Sequence, residues 1–258
     1  MKGTDIGRLT AVRESTFTVR REALIGDGVN PLRAALAGRP AMAFVSPTVD
    51  RLYGARIRAR LADAGAHAVM VVPTGERSKV LATVQAIVER ANSARFSRRG
   101  VFLGIGGGIL LDTVGLAASL FRRGVPHVKI GTTLVAQVDA AIGIKSGVNA
   151  DETKNLVGAF LPPELVITDG AFLATLGPRQ IRCGLAEILK LAIVRDGRLF
   201  AQLESHGTHL LSAERDDDAF RSLIDRSISG MLAELQRDPY EADLQRRVDF
   251  GHTVSPSL

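Results

Sequence analysis

Short, continuous apolar runs recur along the chain: MAFVS (42–46), AVMVV (68–72), VFLGI (101–105), HVKIG (127–131) and ELVIT (164–168). None alternates cleanly with polar residues, which is the pattern of strands buried on both faces. Between them the apolar spacing lengthens to that of a helix. In SKVLATVQAIVERA (78–91), Val80, Leu81, Val84, Ile87, Val88 and Ala91 fall on one face. Strands alternating with helices predict crossover connections and a mainly parallel sheet, hence an α/β fold. Beyond Pro178 the character changes, and residues 179–235 carry helical periodicity with no convincing strand. The pattern predicts an α/β domain over 1–176 and an all-helical domain over 177–258.

The third run leads into GIGGGILLD (104–112), and ILLDTVGLAASLF continues as a helix. A strand, a glycine-rich turn and a helix N-terminus together favour phosphate: backbone N–H groups point outward, the helix dipole is positive there, and glycine lets a pyrophosphate approach. The third glycine of G-x-G-x-x-G is missing, since Ile109 occupies its place. Such a turn also closes a βα unit without any ligand. Downstream, TTLVAQVDAAIGIKSGVN (132–149) puts Thr132 and Thr133 after a strand end, where α/β sheets carry binding loops. Asp139 and Lys145 stand in an otherwise apolar or small stretch, so each is expected to sit in an ion pair or to face a ligand. Lys154 and Asn155 follow. In GLAEILKLAIV (184–194), Glu187 and Lys190 are i, i+3 neighbours among Leu185, Ile188, Leu189, Ala192 and Ile193. That pattern fits a surface ion pair or a buried carboxylate seeking a cation or metal. His252 closes the chain in DFGHTVSPSL (249–258), whereas His206 and His209, in ESHGTHLL, read as a polar helix end.

Composition narrows the options. The 258 residues suffice for one large or two modest domains, and with 46% hydrophobic residues, 5% aromatic and no Trp the core is built from Ala, Val, Leu and Ile. Cys183 is the sole cysteine, which excludes an internal disulfide framework and a zinc knuckle. The formal net charge is +6, but Lys and Arg are dispersed beside acids, as in RDPYEADLQRR (237–247). No basic run is interleaved with aromatics, so an anionic small molecule is expected rather than nucleic acid. MKGTDIGRLTAVRES has no apolar signal region and no run reaches membrane-spanning length, so a soluble, cytoplasmic protein is expected.

Taken in order, PTGERSK, GGGILLD, GLAASLFRRG, TTLVAQVDAAIGIKSGVN, KNLVGAF, GLAEILK and DFGHT resemble the dehydroquinate synthase superfamily of sugar phosphate cyclases over about residues 40–258. The resemblance implies a Rossmann-like domain with bound NAD, a helical domain with Zn2+ or Co2+, a sugar phosphate substrate and a homodimer. By motif, Glu76 and Lys79 would hold the adenosine end. Gly106, Gly107, Gly108, Asp112, Thr132, Thr133, Asp139, Lys145 and Lys154 would line the NAD site, with Phe172 and Thr175 near it. Glu187 and His252 would be two of three metal ligands. Lys145, Asn155, Lys190 and Arg123 would contact the substrate or its phosphate, Arg123 in the neighbouring subunit's site.

Met231 stands where dehydroquinate synthases place a lysine, and Asp249 and Pro256 replace an asparagine and a histidine. With Met-x-x-Glu-Leu (231–235), Glu241 and GIKSGVN, these resemble the 2-epi-5-epi-valiolone synthase branch, which acts on sedoheptulose 7-phosphate, and Asp249 joins the candidate catalytic residues. Two departures accompany the resemblance. The family's acidic residue after the 42–46 strand is not evident, and Ser46 stands there. The family pattern also runs past Leu258, which implies a chain cut within the helical domain that binds NAD and catalyses poorly or not at all. Alternatives are an inactive cofactor-binding homologue, a 3-dehydroquinate synthase, and a metal-dependent alcohol dehydrogenase.

Overall fold

A computed structural model describes residues 15–26, 28–66, 68–211, 218–243 and 247–251. Six parallel strands form the main sheet: β1 (Thr18–Arg21), β2 (Ala41–Val45), β3 (Ala68–Val71), β4 (Val101–Gly106), β5 (His127–Gly131) and, further along, β8 (Leu165–Thr168). Their spatial order is β1-β8-β5-β4-β2-β3, and an antiparallel hairpin, β6 (Lys145–Ala150) with β7 (Thr153–Phe160), stands apart. From β2 the chain steps outward to β3, then returns across β2 to β4 and proceeds the other way to β5 and β8. The reversal falls between β2 and β4, and α/β sheets bind ligands beside the carboxyl ends of the strands at such a switch point.

The helices are α1 (Pro31–Leu36), α2 (Pro47–Asp63), α3 (Leu81–Ser93), α4 (Gly108–Leu120), α5 (Pro178–Arg195), α6 (Gly197–His206) and α7 (Asp218–Leu235). Local chemistry explains several of their ends. Asn30 caps α1 by accepting from Leu32 N, with Pro31 beginning the helix. Asp196 caps α6 by accepting from Arg198 N and Leu199 N. Alternate residues of each strand feed opposite layers. Ala43, Val45, Leu103, Ile105, Val128 and Ile130 pack with Ile57 and Leu61 of α2. Met42, Phe44 and Phe102 pack with Val84 and Ile87 of α3 and Val114 of α4. Burying each of those Phe side chains contributes about 2–3 kcal/mol. A further core joins Val166 and Leu134 to α5, α6 and α7 through Ile188, Leu191, Leu199, Leu223 and Ile228.

The five runs read as strands are strands, and the sheet is parallel as expected. Elsewhere the structure corrects the reading. Residues 145–149 and 154–160, taken as a loop region, form the β6–β7 hairpin. β1 had no apolar run to announce it. Leu81, expected on the buried face of α3, is 45% exposed because it opens the helix, and Leu189 and Ile193 of α5 are also exposed. Among the described residues, no helix is long and apolar enough to cross a membrane.

Candidate functional site

β4 ends at Gly106, and Gly107 caps α4 without any side-chain hydrogen bond. The first amides of α4 therefore face outward unclaimed. The three glycines are held to their identity by packing as well. A Cβ on Gly106 would come within 2.5 Å of the Leu110 side chain, one on Gly107 within 3.3 Å of Thr133, and one on Gly108 within 3.2 Å of Ala140. β5 ends at Gly131, Thr132 N donates to Gly106 O at 3.0 Å, and one π-helical turn, Ala136–Ala140, follows. Gln137 in that turn donates to Gly131 O and Asp169 O at 3.0 and 2.8 Å. Asp169 in turn accepts from Leu24 N, Ile25 N and Ala171 N, which fixes the segment bearing Phe172 and Thr175. Tyr53 of α2 meets Phe172 edge-on at 5.2 Å, and its hydroxyl is 2.8 Å from Thr175 Oγ1.

Around this turn lies a cavity of about 330 Å³ lined by Ser46, Thr48, Tyr53, Thr74, Gly107, Gly108, Thr132, Thr133, Phe172, Thr175 and others, with no ionisable acid or base among them except the Tyr53 phenol. The glycine cradle and the unclaimed amides suit a dinucleotide pyrophosphate.

A second cavity, of about 720 Å³, is charged. Asp112, Asp139, Lys145, Asn155, Glu187, Lys190, Met231, Glu234, Glu241 and Asp249 line it. Its walls come from α4, the π turn, the hairpin, α5, α7 and the turn at Arg247–Asp249. Lys190 Nζ lies 2.5 Å from Glu187 Oε2, and Lys145 Nζ lies 2.7 Å from Glu241 Oε1. Burial raises the Asp112 carboxyl above its ordinary range, offset by Lys79 at 2.6 Å. Burial also raises Asp139, and the neighbouring Glu187 charge adds to the shift.

Lys79 links this cavity to the hairpin, donating to Asn155 Oδ1 at 2.5 Å. Asn149 completes the chain, giving Nδ2 to Glu76 Oε1 at 2.7 Å and accepting from Asn155 N at 2.9 Å. Glu76 and Lys79 thus stand with Asp112 and the hairpin and are absent from the lining of the neutral cavity. Lys154 is exposed on β7 and lines neither cavity. Arg123 is exposed beyond α4 at φ 63°, also outside both. His252 lies outside the described residues. Among the described residues, no cluster of three His, Cys, Asp or Glu side chains is arranged to hold a metal, and Glu187 is the one expected donor present.

Sequence reasoning passed over two β5 side chains. Lys129 is 1% exposed, and burial pushes its ammonium down to about 8 while Asp112 and Asp139 pull it back up. Its Nζ donates to Gly143 O at 2.7 Å and Ala140 O at 3.3 Å, bracing the backbone between Asp139 and Lys145. His127 is equally buried, with neither ring nitrogen hydrogen-bonded, and burial pushes it down to about 3. A polar pair two apart in a strand was the available signal, but alternation alone reads it as an exposed face.

Comparison with known proteins adds to this geometry. The 3-dehydroquinate synthase N-terminal family matches residues 69–183, and the 3-dehydroquinate synthase C-terminal family matches 184–258. A 2-epi-5-epi-valiolone synthase of Streptomyces glaucescens is 47% identical over 91% of this chain and 62% of its own length. A 3-dehydroquinate synthase of Thermosynechococcus vestitus is 37% identical over 85% of this chain and 60% of its own. The solved 2-epi-5-epi-valiolone synthase of Streptomyces hygroscopicus, with NAD+ and Zn2+ bound, superposes with a TM-score of 0.89 at 40% identity, covering 97% of this chain and 69% of that one. The chain spans slightly less than two thirds of the length of the first curated relatives it matches.

Proposed function

We propose that this chain, which belongs to the 3-dehydroquinate synthase family, is the nucleotide- and substrate-binding part of a sugar phosphate cyclase that converts sedoheptulose 7-phosphate to 2-epi-5-epi-valiolone. Residues 1–176 form its nucleotide half and 177–258 its substrate and metal half. The observation that carries the finer reading is the lining of the charged cavity. Met231, Glu234, Leu235, Glu241 and Asp249, by which the sequence resembles the valiolone branch, share that cavity with Lys145, Asn155 and Lys190.

The neutral cavity would hold NAD, with the pyrophosphate on Gly106, Gly107 and Gly108 and the adenosine side against Tyr53, Phe172 and Thr175. Bound there, NAD would supply reversible hydride acceptance at a ring alcohol. The chain's own residues do the rest. Lys145 and Lys190 hold the phosphate dianion and steady the oxygen that gains charge when phosphate leaves by β-elimination. Lys79 occupies Asn155 Oδ1, which leaves the Asn155 amide N–H groups to donate into the cavity. Asp112, Lys79 and Glu76 brace the hairpin beside the reacting ring. Asp139, its carboxyl raised by burial, stands beside Glu187 in the same cavity. Glu187 and His252 would contribute two metal ligands, and among the described residues no cluster completes the donor set. Arg123 would act in the site of a second copy.

The test is phosphate release, with NAD and Zn2+ present, from sedoheptulose 7-phosphate and from the seven-carbon heptulosonate phosphate. Release from the first without net NADH supports the proposal. Release from the second alone makes the protein a dehydroquinate synthase, and steady NADH accumulation makes it a dehydrogenase. Mixing Arg123→Ala with Lys190→Ala and recovering activity that neither variant has alone would support the shared site.

A further inference from the structure

The carboxyl end of β2 lies beside the glycine turn: Val45 pairs with Ile105, and Ser46 N donates to Ile105 O at 3.3 Å. In dinucleotide-binding sheets, the residue at the end of the strand next to the glycine turn meets the adenosine ribose. An acid there accepts from the ribose hydroxyls and repels a 2′-phosphate. Here that residue is Ser46, 6% exposed, at the N-cap position of α2 yet capping no amide, and part of the neutral cavity's lining. Its hydroxyl is therefore buried and available to a ligand.

The surroundings favour negative charge. α2 is 17 residues long, and its N-terminal dipole meets the cavity at Ser46, Thr48 and Val49. Among the described residues, no carboxylate lines the cavity. The first acid of α2, Asp50, is held by Arg58 at 2.7 Å and stays off the lining. Beyond Gly75, which does line it, Glu76 accepts from Asn149 Nδ2 at 2.7 Å and Arg77 is exposed, and neither is part of the lining.

We propose that the adenosine ribose site of this chain accepts a 2′-phosphorylated dinucleotide, so that NADP+ binds about as tightly as NAD+, with Ser46 as the specificity-determining residue. This rests on the reading that the neutral cavity holds a nicotinamide dinucleotide. The experiment is calorimetric titration of the chain with NAD+ and with NADP+, for the wild type, Ser46→Asp and the uncharged isostere Ser46→Asn. Wild-type dissociation constants should agree within about tenfold. Ser46→Asp should weaken NADP+ about 100-fold more than it weakens NAD+, while Ser46→Asn, of the same size without the charge, should change both nucleotides by the same factor. A wild type that binds NAD+ but takes NADP+ more than about 100-fold more weakly overturns the proposal, as does an aspartate variant that loses both nucleotides equally while its unfolding midpoint is unchanged. Binding of neither nucleotide to the wild type instead overturns the cofactor reading beneath it.

Discussion

The two cavities share the first turns of α4 as a wall and are otherwise opposites. The one over the glycine turn is neutral, built from hydroxyls, aromatic edges and backbone amides. The one beyond Asp112 holds, among the described residues, eight carboxylates (Asp112, Asp139, Glu187, Glu234, Asp238, Glu241, Asp243 and Asp249) against four cations (Lys145, Lys190, Arg237 and Arg247). A ligand that is only to be held needs fixed dipoles, whose desolvation cost is met within the fold. A ligand that must change charge needs groups able to follow it, and those are ionised or close to their titration range. On the proposed reading, the contrast puts the dinucleotide on one side of the α4 N-terminus and the sugar phosphate on the other.

The strongest way to break this comparison is Lys190→Ala. Turnover, followed by phosphate release, should fall about 1000-fold, with NAD+ affinity measured calorimetrically unchanged. A parallel loss of NAD+ binding would merge the two cavities into one functional unit. The reverse experiment is Gly107→Val. Its new side chain enters the space where a Cβ already stands 3.3 Å from Thr133, so NAD+ affinity should drop about 10- to 100-fold, as overpacking of 1–3 kcal/mol requires. Turnover at saturating NAD+ should be largely retained.

Lys129→Met sharpens the boundary. It leaves Gly143 O and Ala140 O without their donor and should cost about 1–3 kcal/mol in denaturant unfolding. Because Lys129 positions Asp139 and Lys145 without lining either cavity, kcat should fall while KM for the dinucleotide holds. Lys129→Arg should restore part of the loss, and full activity in the Met variant would make the residue merely structural.

The smallest effect at neutral pH belongs to His127→Leu. The imidazole titrates near 3 in the folded chain against an ordinary 6.5, so between those values the unfolded chain binds a proton that the folded chain does not. Its contribution is fully present above pH 6.5 and is lost as pH falls toward 3, by about 1.4 kcal/mol per unit. Both ring nitrogens are unpartnered, so the Leu variant should match or exceed wild-type stability at pH 7 and lose less than wild type between pH 6.5 and 4.5. An unchanged acid slope would mean that the imidazole is not buried as the structure places it.

How much of this was legible depended on burial. β2, β4, β5 and β8 are covered on both faces and therefore spell continuous apolar runs. The β6–β7 hairpin stayed hidden for a local reason. Its turn uses Asp151 and Glu152 at φ 48° and 65°, a left-handed geometry usually written with Asn or Gly, and β7 is mostly exposed with little apolar signal. Glu187 and Lys190 were readable as a pair from helical spacing alone. Asn149 was not, because its partners Glu76 and Asn155 come from separate segments.

By itself, the sequence determined the alternation of strands and helices, the glycine turn on β4 and the helical character beyond residue 178, since periodicity, bare backbone and propensity act over a few residues. Only the tertiary structure decided that β2 and β4 meet at the reversal of strand order, which sets Ser46 beside Gly107, and that the chemistry-bearing residues divide between two cavities. It also decided that Lys129 and His127 point into the protein. Those outcomes depend on which elements pack together, and long-range packing is not written in the spacing of neighbouring residues.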